Sequence, residues 1–185
     1  AAGKYGYINI AGATAIPFQY DWVSKFNNGL AKEKVNSKFG LIDIKGDTIL
    51  NCEYDNIGDF SDSLAMVVQN GKVGYVNRHG DIVIPVKYEY SADLLAGGMF
   101  NDGLAKVQLY KRRGFIDTAG KVVIHFIYDD ALPFKEGLAP VLSAKKWGYI
   151  NRKGKTVIRN KYDYAANFSD SLARVTLKGQ TGFID

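Results

Sequence analysis

An all-β fold built from tandem repeats is predicted by three observations. A glycine motif recurs at fixed spacing, strand-like runs of aromatic and β-branched residues follow it, and tight turn signals separate the runs. The glycine stands at Gly6, Gly40, Gly74, Gly114, Gly148 and Gly182, at intervals of 34 residues apart from one of 40. A period in that range means that no unit buries its apolar face alone, so neighbours stack to share a core. The long interval is one insertion: Tyr88 to Phe100 spans 12 residues, where the four other Tyr-to-Phe intervals span 6. The predicted architecture is an open, twisted, solenoid-like array of three-stranded antiparallel meanders, with a closed propeller-like ring as the alternative. Residues 1–185 read as a single array of five units and a cut-off sixth, expected to be a piece of a longer protein.

The first strand of each unit is the motif itself: Tyr7-Ile8, Leu41-Ile42, Tyr75-Val76, Phe115-Ile116, Tyr149-Ile150 and Phe183-Ile184. Neighbours along a strand point to opposite faces, so an aromatic beside a β-branched residue implies cover on both. The glycine just before them leaves room for a neighbouring ring or backbone to approach closely. A turn follows at Asn9 to Gly12, Asp43 to Gly46, Asn77 to Gly80, Asp117 to Gly120 and Asn151 to Gly154. Asp or Asn at entry and Gly at exit suit a type I turn that closes through a left-handed bulge glycine.

The second strand carries Ala15-Ile16, Ile49-Leu50, Val83-Ile84, Val123-Ile124 and Val157-Ile158 and ends at a recurring Tyr. Pro17 and Pro85 inside it require a bulge or a solvent-facing position. The third strand is Leu-Ala-x-Val, from Leu64, Leu104, Leu138 and Leu172, with Glu33 in place of the Val in the first unit. Two-residue links such as Asn70-Gly71 return the chain to the next motif. Phe26, Phe60, Phe100, Phe134 and Phe168 are expected to plug the gap between adjacent units, each burial contributing about 1.5–3 kcal/mol.

These residues resemble the bacterial WG repeat, also called the KWG repeat, after the Lys-Trp-Gly seen here at Lys146-Trp147-Gly148. The resemblance covers essentially the whole chain, through Gly-aromatic-Ile-Asp/Asn, the turn glycine, Val-Ile-Pro, Tyr-Asp and Phe-Ser-Asp-Gly-Leu-Ala. The naming Trp occurs once; its counterparts are Tyr5, Phe39, Val73, Arg113 and Thr181. The resemblance implies a β-rich repeat module, often one part of a larger protein, and supplies no catalytic residues.

With 46% apolar residues over 185 positions, the chain has material for a sizeable core. It contains no apolar run long enough for a membrane-spanning helix. The net charge of +5 is uneven. Residues 1–92 hold 9 Lys/Arg and 10 Asp/Glu, whereas residues 93–185 hold 15 and 9. The basic density at Lys145–Lys161 reads as a solvated face, with an anionic partner as the sharper possibility.

The recurring acids Asp21, Asp55, Glu89, Asp129 and Asp163 each follow the recurring Tyr. Equivalent acids in equivalent surroundings suit turn hydrogen bonds rather than catalysis, which separates two carboxyls by environment. His79 and His125 have no companion His or Cys at ligand spacing, so neither a metal nor another cofactor is expected. Cys52 aligns with Phe18, Val86 and Phe126, which suits a small core residue. No catalytic residue is assigned, and no enzyme activity is expected.

The positions whose chemistry changes between units are the candidates for binding. The candidate set is Tyr5, Arg113 and Trp147 before the motif glycine and Trp22, Tyr90 and Tyr164 after Tyr-Asp. Leu94 and Leu95 in the insertion complete it, as a local recognition element or as residues folded back over their own unit. Exposed aromatics at such positions anchor a protein partner, or the rest of a parent chain. The alternative is carbohydrate or cell-wall binding through Trp22, Trp147 and Tyr164.

Overall fold

The five Asp/Asn-x-x-Gly segments fold into the turns their residues predict. In each, the glycine N–H donates to the carbonyl of the entry residue, as Gly12 N does to Asn9 O at 2.9 Å and Gly154 N to Asn151 O at 2.8 Å. The entry side chain completes the turn: Asn9 Oδ1 accepts from the N–H groups of Ala11 and Ala13, and Asp117 Oδ1 accepts from Ala119 and Lys121. All five exit glycines lie at positive φ, between 77° and 88°, where a side chain would be strained. The structure is a computed structural model that describes residues 3–92, 94 and 98–185.

The chain divides into two compact units, Ala1–Asp59 with Ala65–Lys87 and Phe60–Leu64 with Tyr88–Asp185. In the first, β1 (Tyr5–Ile8) pairs with β2 (Thr14–Tyr20). A four-stranded sheet follows in chain order: β3 (Trp22–Val23), β4 (Leu30–Val35), β5 (Lys38–Asp43) and β6 (Thr48–Tyr54). Then come β7 (Asn56–Ser61), β8 (Leu64–Gln69), β9 (Lys72–Asn77) and β10 (Ile82–Glu89), again as successive neighbours, with Phe60–Leu64 and the end of β10 from Tyr88 counted to the second unit.

In the second unit β11 (Phe100–Asn101) pairs with β12 (Leu104–Leu109), which continues to β13 (Arg112–Asp117) and β14 (Val122–Tyr128). The next sheet is β15 (Asp130–Ala131), β16 (Leu138–Ser143), β17 (Lys146–Asn151) and β18 (Thr156–Tyr162). The last is β19 (Tyr164–Ala165), β20 (Ala173–Leu177) and β21 (Gln180–Ile184). The protein is all-β, a tandem array of antiparallel meanders, and among the described residues no sheet closes on itself.

The meander carries one more strand than the three predicted. After three of the four Tyr-Asp pairs the chain bends and pairs for two residues with the third strand, Trp22 with Lys34, Asp130 with Leu142 and Tyr164 with Thr176, whereas after Tyr54-Asp55 the strand runs for six residues, Asn56–Ser61. The acid's own N–H starts this pairing, from Asp21 to Lys34 O, Asp129 to Leu142 O and Asp163 to Thr176 O, at 2.8–2.9 Å. A two-residue strand takes so little chain that it fits the short unit. The sheet therefore straddles the sequence repeat, running from one copy of Tyr-Asp to the next copy of Tyr.

Between first and second strands the register jumps. Phe39 faces Tyr54 and Leu41 faces Leu50, so the second strand bulges opposite Gly40, and the same shift recurs opposite Gly114 and Gly148. A Cβ on Gly40 would lie 2.5 Å from Leu50 O, and one on Gly114 would lie 2.7 Å from Ile124 O. The motif glycine is thus fixed by a backbone pressed against it, as expected from its missing side chain. Pro17 falls in this bulged segment, where the ladder asks for no N–H, and Pro85 stands between Ile84 and Val86, which press against Gly74.

The core lies between successive sheets. In the second unit Phe115, Ile124, Tyr128, Ala131, Phe134, Ala139 and Val141 pack together with Leu104 and Ile150 of the flanking repeats. Phe134 meets the motif aromatic Phe115 with ring centroids 4.8 Å apart, as Phe168 meets Tyr149 at 5.1 Å and Phe26 meets Tyr7 at 4.6 Å. Phe100, Phe134 and Phe168 are buried; Phe26 and Phe60 are half-buried. Adjacent repeats of this unit are also stapled by polar groups. Asp102 accepts from the N–H of Gly137, Glu136 accepts from those of Asp170 and Ser171, and Asn167 Nδ2 donates to Pro133 O.

Candidate functional site: an aromatic ladder across the sheets

The recurring acids are committed to the scaffold. Asp21 accepts from the N–H of Asn36, Asp55 from that of Asn70, and Glu89 from those of Tyr110 and Lys111. Each acid thereby clamps the two-residue link that leads into the next motif. The same side chains pair with the basic residue two places before a motif glycine: Lys4 with Asp21, Lys38 with Asp55, Arg112 with Asp129 and Lys146 with Asp163. The ammonium group beside them, with the backbone N–H bonds, holds Asp21, Asp55 and Asp163 below the usual carboxylate range. The lysine and aspartate of the repeat are therefore one structural device, and Lys146 of the basic stretch is already paired.

One acid departs from this pattern. Glu33, on β4, is 4% exposed and faces Gly40 across the ladder. Burial pushes its carboxyl above the ordinary value, while hydrogen bonds with the Cys52 thiol and the Tyr20 hydroxyl act the other way. Burial and the Glu33 charge in turn push the half-buried Cys52 thiol up to about 12. Tyr7 is likewise raised to about 12, chiefly by burial, with Tyr20 and Glu33 adding to it. The Glu33, Cys52 and Tyr20 side chains of the cluster come from β4, β6 and β2, and Tyr20 stands opposite the variable Tyr5.

Those variable positions form a ladder. Trp22 stands opposite Lys34, Lys34 opposite Phe39, and Phe39 opposite Tyr54, one rung on each strand from β3 to β6. The rung repeats as Asp130, Leu142, Trp147 and Tyr162, and as Tyr164, Thr176 and Thr181. The two sets of varying residues, separated in sequence, are thus brought to one line across these three sheets. Sequence reading missed that join because it rests on the two-residue strand.

Along the ladder the exposed aromatic members are Tyr5, Trp22 and Tyr164, at 49%, 40% and 41%, and Thr181 is exposed as well. Arg174 sits over the Tyr164 ring at 5.5 Å. Tyr90, at the start of the insertion, is half-buried. Three candidates are corrected. Arg113 leaves only 13% of its side chain exposed and pairs with Asp130 at 3.6 Å. Trp147 is half-buried and packs against the cluster of Tyr149, Tyr162 and Phe168. Both lie on a middle strand with a neighbour on each side, so variability there reflects tolerance in packing rather than exposure.

Leu94 is the third correction. It is fully buried, its N–H bonds to Ser91 O and its carbonyl accepts from Gly98 N, so this leucine folds inward. Leu95 lies outside the described residues.

Around Trp22 the surface opens into a cleft of about 420 Å³ lined by Asp21, Trp22, Lys34, Ser37 and Phe39. The Trp22 and Phe39 rings meet edge to face at 6.0 Å, and Lys34 Nζ stands 4.9 Å from the Phe39 centroid. Among the described residues no group of His, Cys, Asp and Glu is placed to hold a metal ion, and no helix is long and apolar enough to cross a membrane.

Comparison with known proteins gives a family and a fold. The family described as WG containing repeat matches at residues 5–39, 39–72, 74–111, 114–147 and 147–180. No curated protein matches. Among solved structures, a crystal structure of the eukaryotic initiation factor is 11% identical with a TM-score of 0.51, covering 85% of this chain and 50% of its own. The extracellular domain of a hybrid two-component system from B. thetaiotaomicron is 12% identical with a TM-score of 0.43, covering 90% of this chain and 28% of its own. The chain thus spans about half the length of the initiation-factor structure, and the likeness to it is one of fold.

Proposed function

Because the chain belongs to the WG-repeat family, and because its fixed residues are spent on turns, bulges and core, we propose that it is a non-enzymatic binding and scaffold module for protein. The observation that carries this reading is the exposed aromatic ladder. The positions that vary between units line up across three of the sheets, and Tyr5, Trp22 and Tyr164 present rings to solvent. Tyr and Trp supply large, rigid contact area at small entropic cost, which is why they dominate the energetic centres of protein interfaces. The recurring acids support the reading, since a carboxyl holding backbone N–H groups and a lysine is a poor proton donor or acceptor for a substrate.

A photoactivatable phenylalanine analogue placed at Tyr5 or Tyr164 tests this, with Ile127, exposed but off the ladder, as control. The expected result is a discrete crosslinked protein from either ladder position and not from Ile127, reproduced with that protein purified. Crosslinking that is equal at all three positions, or a glycan array that responds while no protein crosslinks, contradicts the reading; the second outcome assigns the ladder to sugars.

A further inference from the structure

The cleft lined by Trp22, Lys34 and Phe39 differs from its counterparts in one respect: it pairs two aromatic rings with a cation that feels the charge of Asp21 but forms no ion pair with it. Lys34 stands over the Phe39 ring, and among the described residues it makes no ion pair. The nearby acid, Asp21, already holds Lys4 and the N–H of Asn36. The equivalent set on the β15–β18 sheet places Leu142 where Lys34 stands and Asp130 where Trp22 stands, and that Asp130 is paired with Arg113. On the last sheet the cation-bearing ring, Tyr164, is followed by two threonines.

An inventory of unused polar groups gives the chemistry of the occupant. The Lys34 ammonium brings up to three N–H donors, Ser37 a hydroxyl and Trp22 an indole N–H, whereas the cleft's own acceptor, Asp21, is occupied. A donor-rich site is matched by a ligand that supplies acceptors and negative charge. The rings supply an apolar shelf, and a volume near 420 Å³ holds one to two side chains. The ammonium lies 4.9 Å from the Phe39 centroid, so the ring's π face helps hold it over the apolar shelf.

We propose that the Trp22–Lys34–Phe39 cleft binds an acidic peptide segment. An aliphatic or aromatic side chain lies against Trp22 and Phe39, and an adjacent Asp or Glu carboxylate accepts from Lys34. The inference rests on the protein-binding reading and names the feature of the partner that this cleft recognises.

The test uses the whole chain carrying Trp147→Phe, a change the repeat tolerates since Phe39 occupies the same position, so that Trp22 is the sole indole. Its fluorescence is titrated with acetyl-Glu-Leu-Glu-Leu-Glu-amide, with the Gln-for-Glu version of that peptide, and with a glucuronic acid disaccharide. The acidic peptide is expected to give a saturable shift that weakens about tenfold with Lys34→Gln, with the Gln peptide, and on raising salt from low to about 0.5 M. Circular dichroism of Lys34→Gln checks that the variant stays folded; should it unfold, Lys34→Arg, which keeps the charge, must bind and the Gln peptide must not. No saturable response, equal binding of the Gln peptide, or a response to the disaccharide alone overturns the proposal. If the ladder still crosslinks a protein while the cleft ignores acidic peptides, this inference fails and the protein-binding reading stands.

Discussion

Glu33 occupies the position that the other repeats give to Val67, Val107, Val141 and Val175. A buried carboxyl held by a tyrosine hydroxyl and a thiol costs more to ionise than it returns. Its folded pKa lies above the ordinary glutamate value, so the fold favours the protonated form. That contribution is complete below the ordinary value and is lost as pH rises through the folded pKa. Glu33→Val is therefore expected to raise stability at pH 8 by about 1–3 kcal/mol, with a smaller gain at pH 4. Urea denaturation at the two pH values checks it; a gain equal at both, or a loss, contradicts the burial argument. A second pair of residues separates steric from conformational demand. Gly114→Ala puts a Cβ against Ile124 O and the Phe126 ring and is expected to cost about 1–3 kcal/mol, whereas Gly182→Ala, with nothing within 4 Å, stays within about 0.5 kcal/mol. Comparing the two thermal midpoints decides whether the motif glycine is held by the bulged strand.

The links between third and first strands turn on two residues of positive φ, as at Tyr110 (52°) and Lys111 (58°) and at Ala144 (49°) and Lys145 (62°). Type I′ turns ask this of both central residues, and only the Asn70-Gly71 link has the sequence best suited to it. Lys111→Gly keeps the N–H that Glu89 accepts while relieving a left-handed side chain. It is expected to stabilise the chain by about 1 kcal/mol in denaturant titration; an unchanged midpoint means the neighbouring strands already absorb the strain. At this scale the sequence was most legible where one residue type does one job. Gly46, Asn9 and Pro17 each announced a turn or a bulge because backbone geometry admits few alternatives. The two-residue strands were not legible, since Trp22-Val23 and Asp130-Ala131 carry no alternation and exist because the preceding acid's N–H has found a carbonyl. Exposure of Arg113 and Trp147 was misread for a related reason: variability was visible, but the strand's central place in its sheet was not.

Across the whole molecule the division of labour is between residues that recur and residues that vary. The recurring ones close turns, admit the bulge, pair Lys with Asp and build the core between sheets; the varying ones meet on a ladder, and part of it faces solvent. If the exposed ladder exists for binding, folding does not need its side chains. A saturation scan of every position, scored only for folded and protease-resistant chain, tests this most directly. Trp22, Tyr5 and Tyr164 are predicted to accept most substitutions, polar ones included, while Gly40, Gly114 and Gly148 accept almost none and Leu94 accepts only apolar residues of similar size. A scan in which Trp22 and Tyr164 are as intolerant as those glycines would contradict the account, because the ladder would then be part of the core.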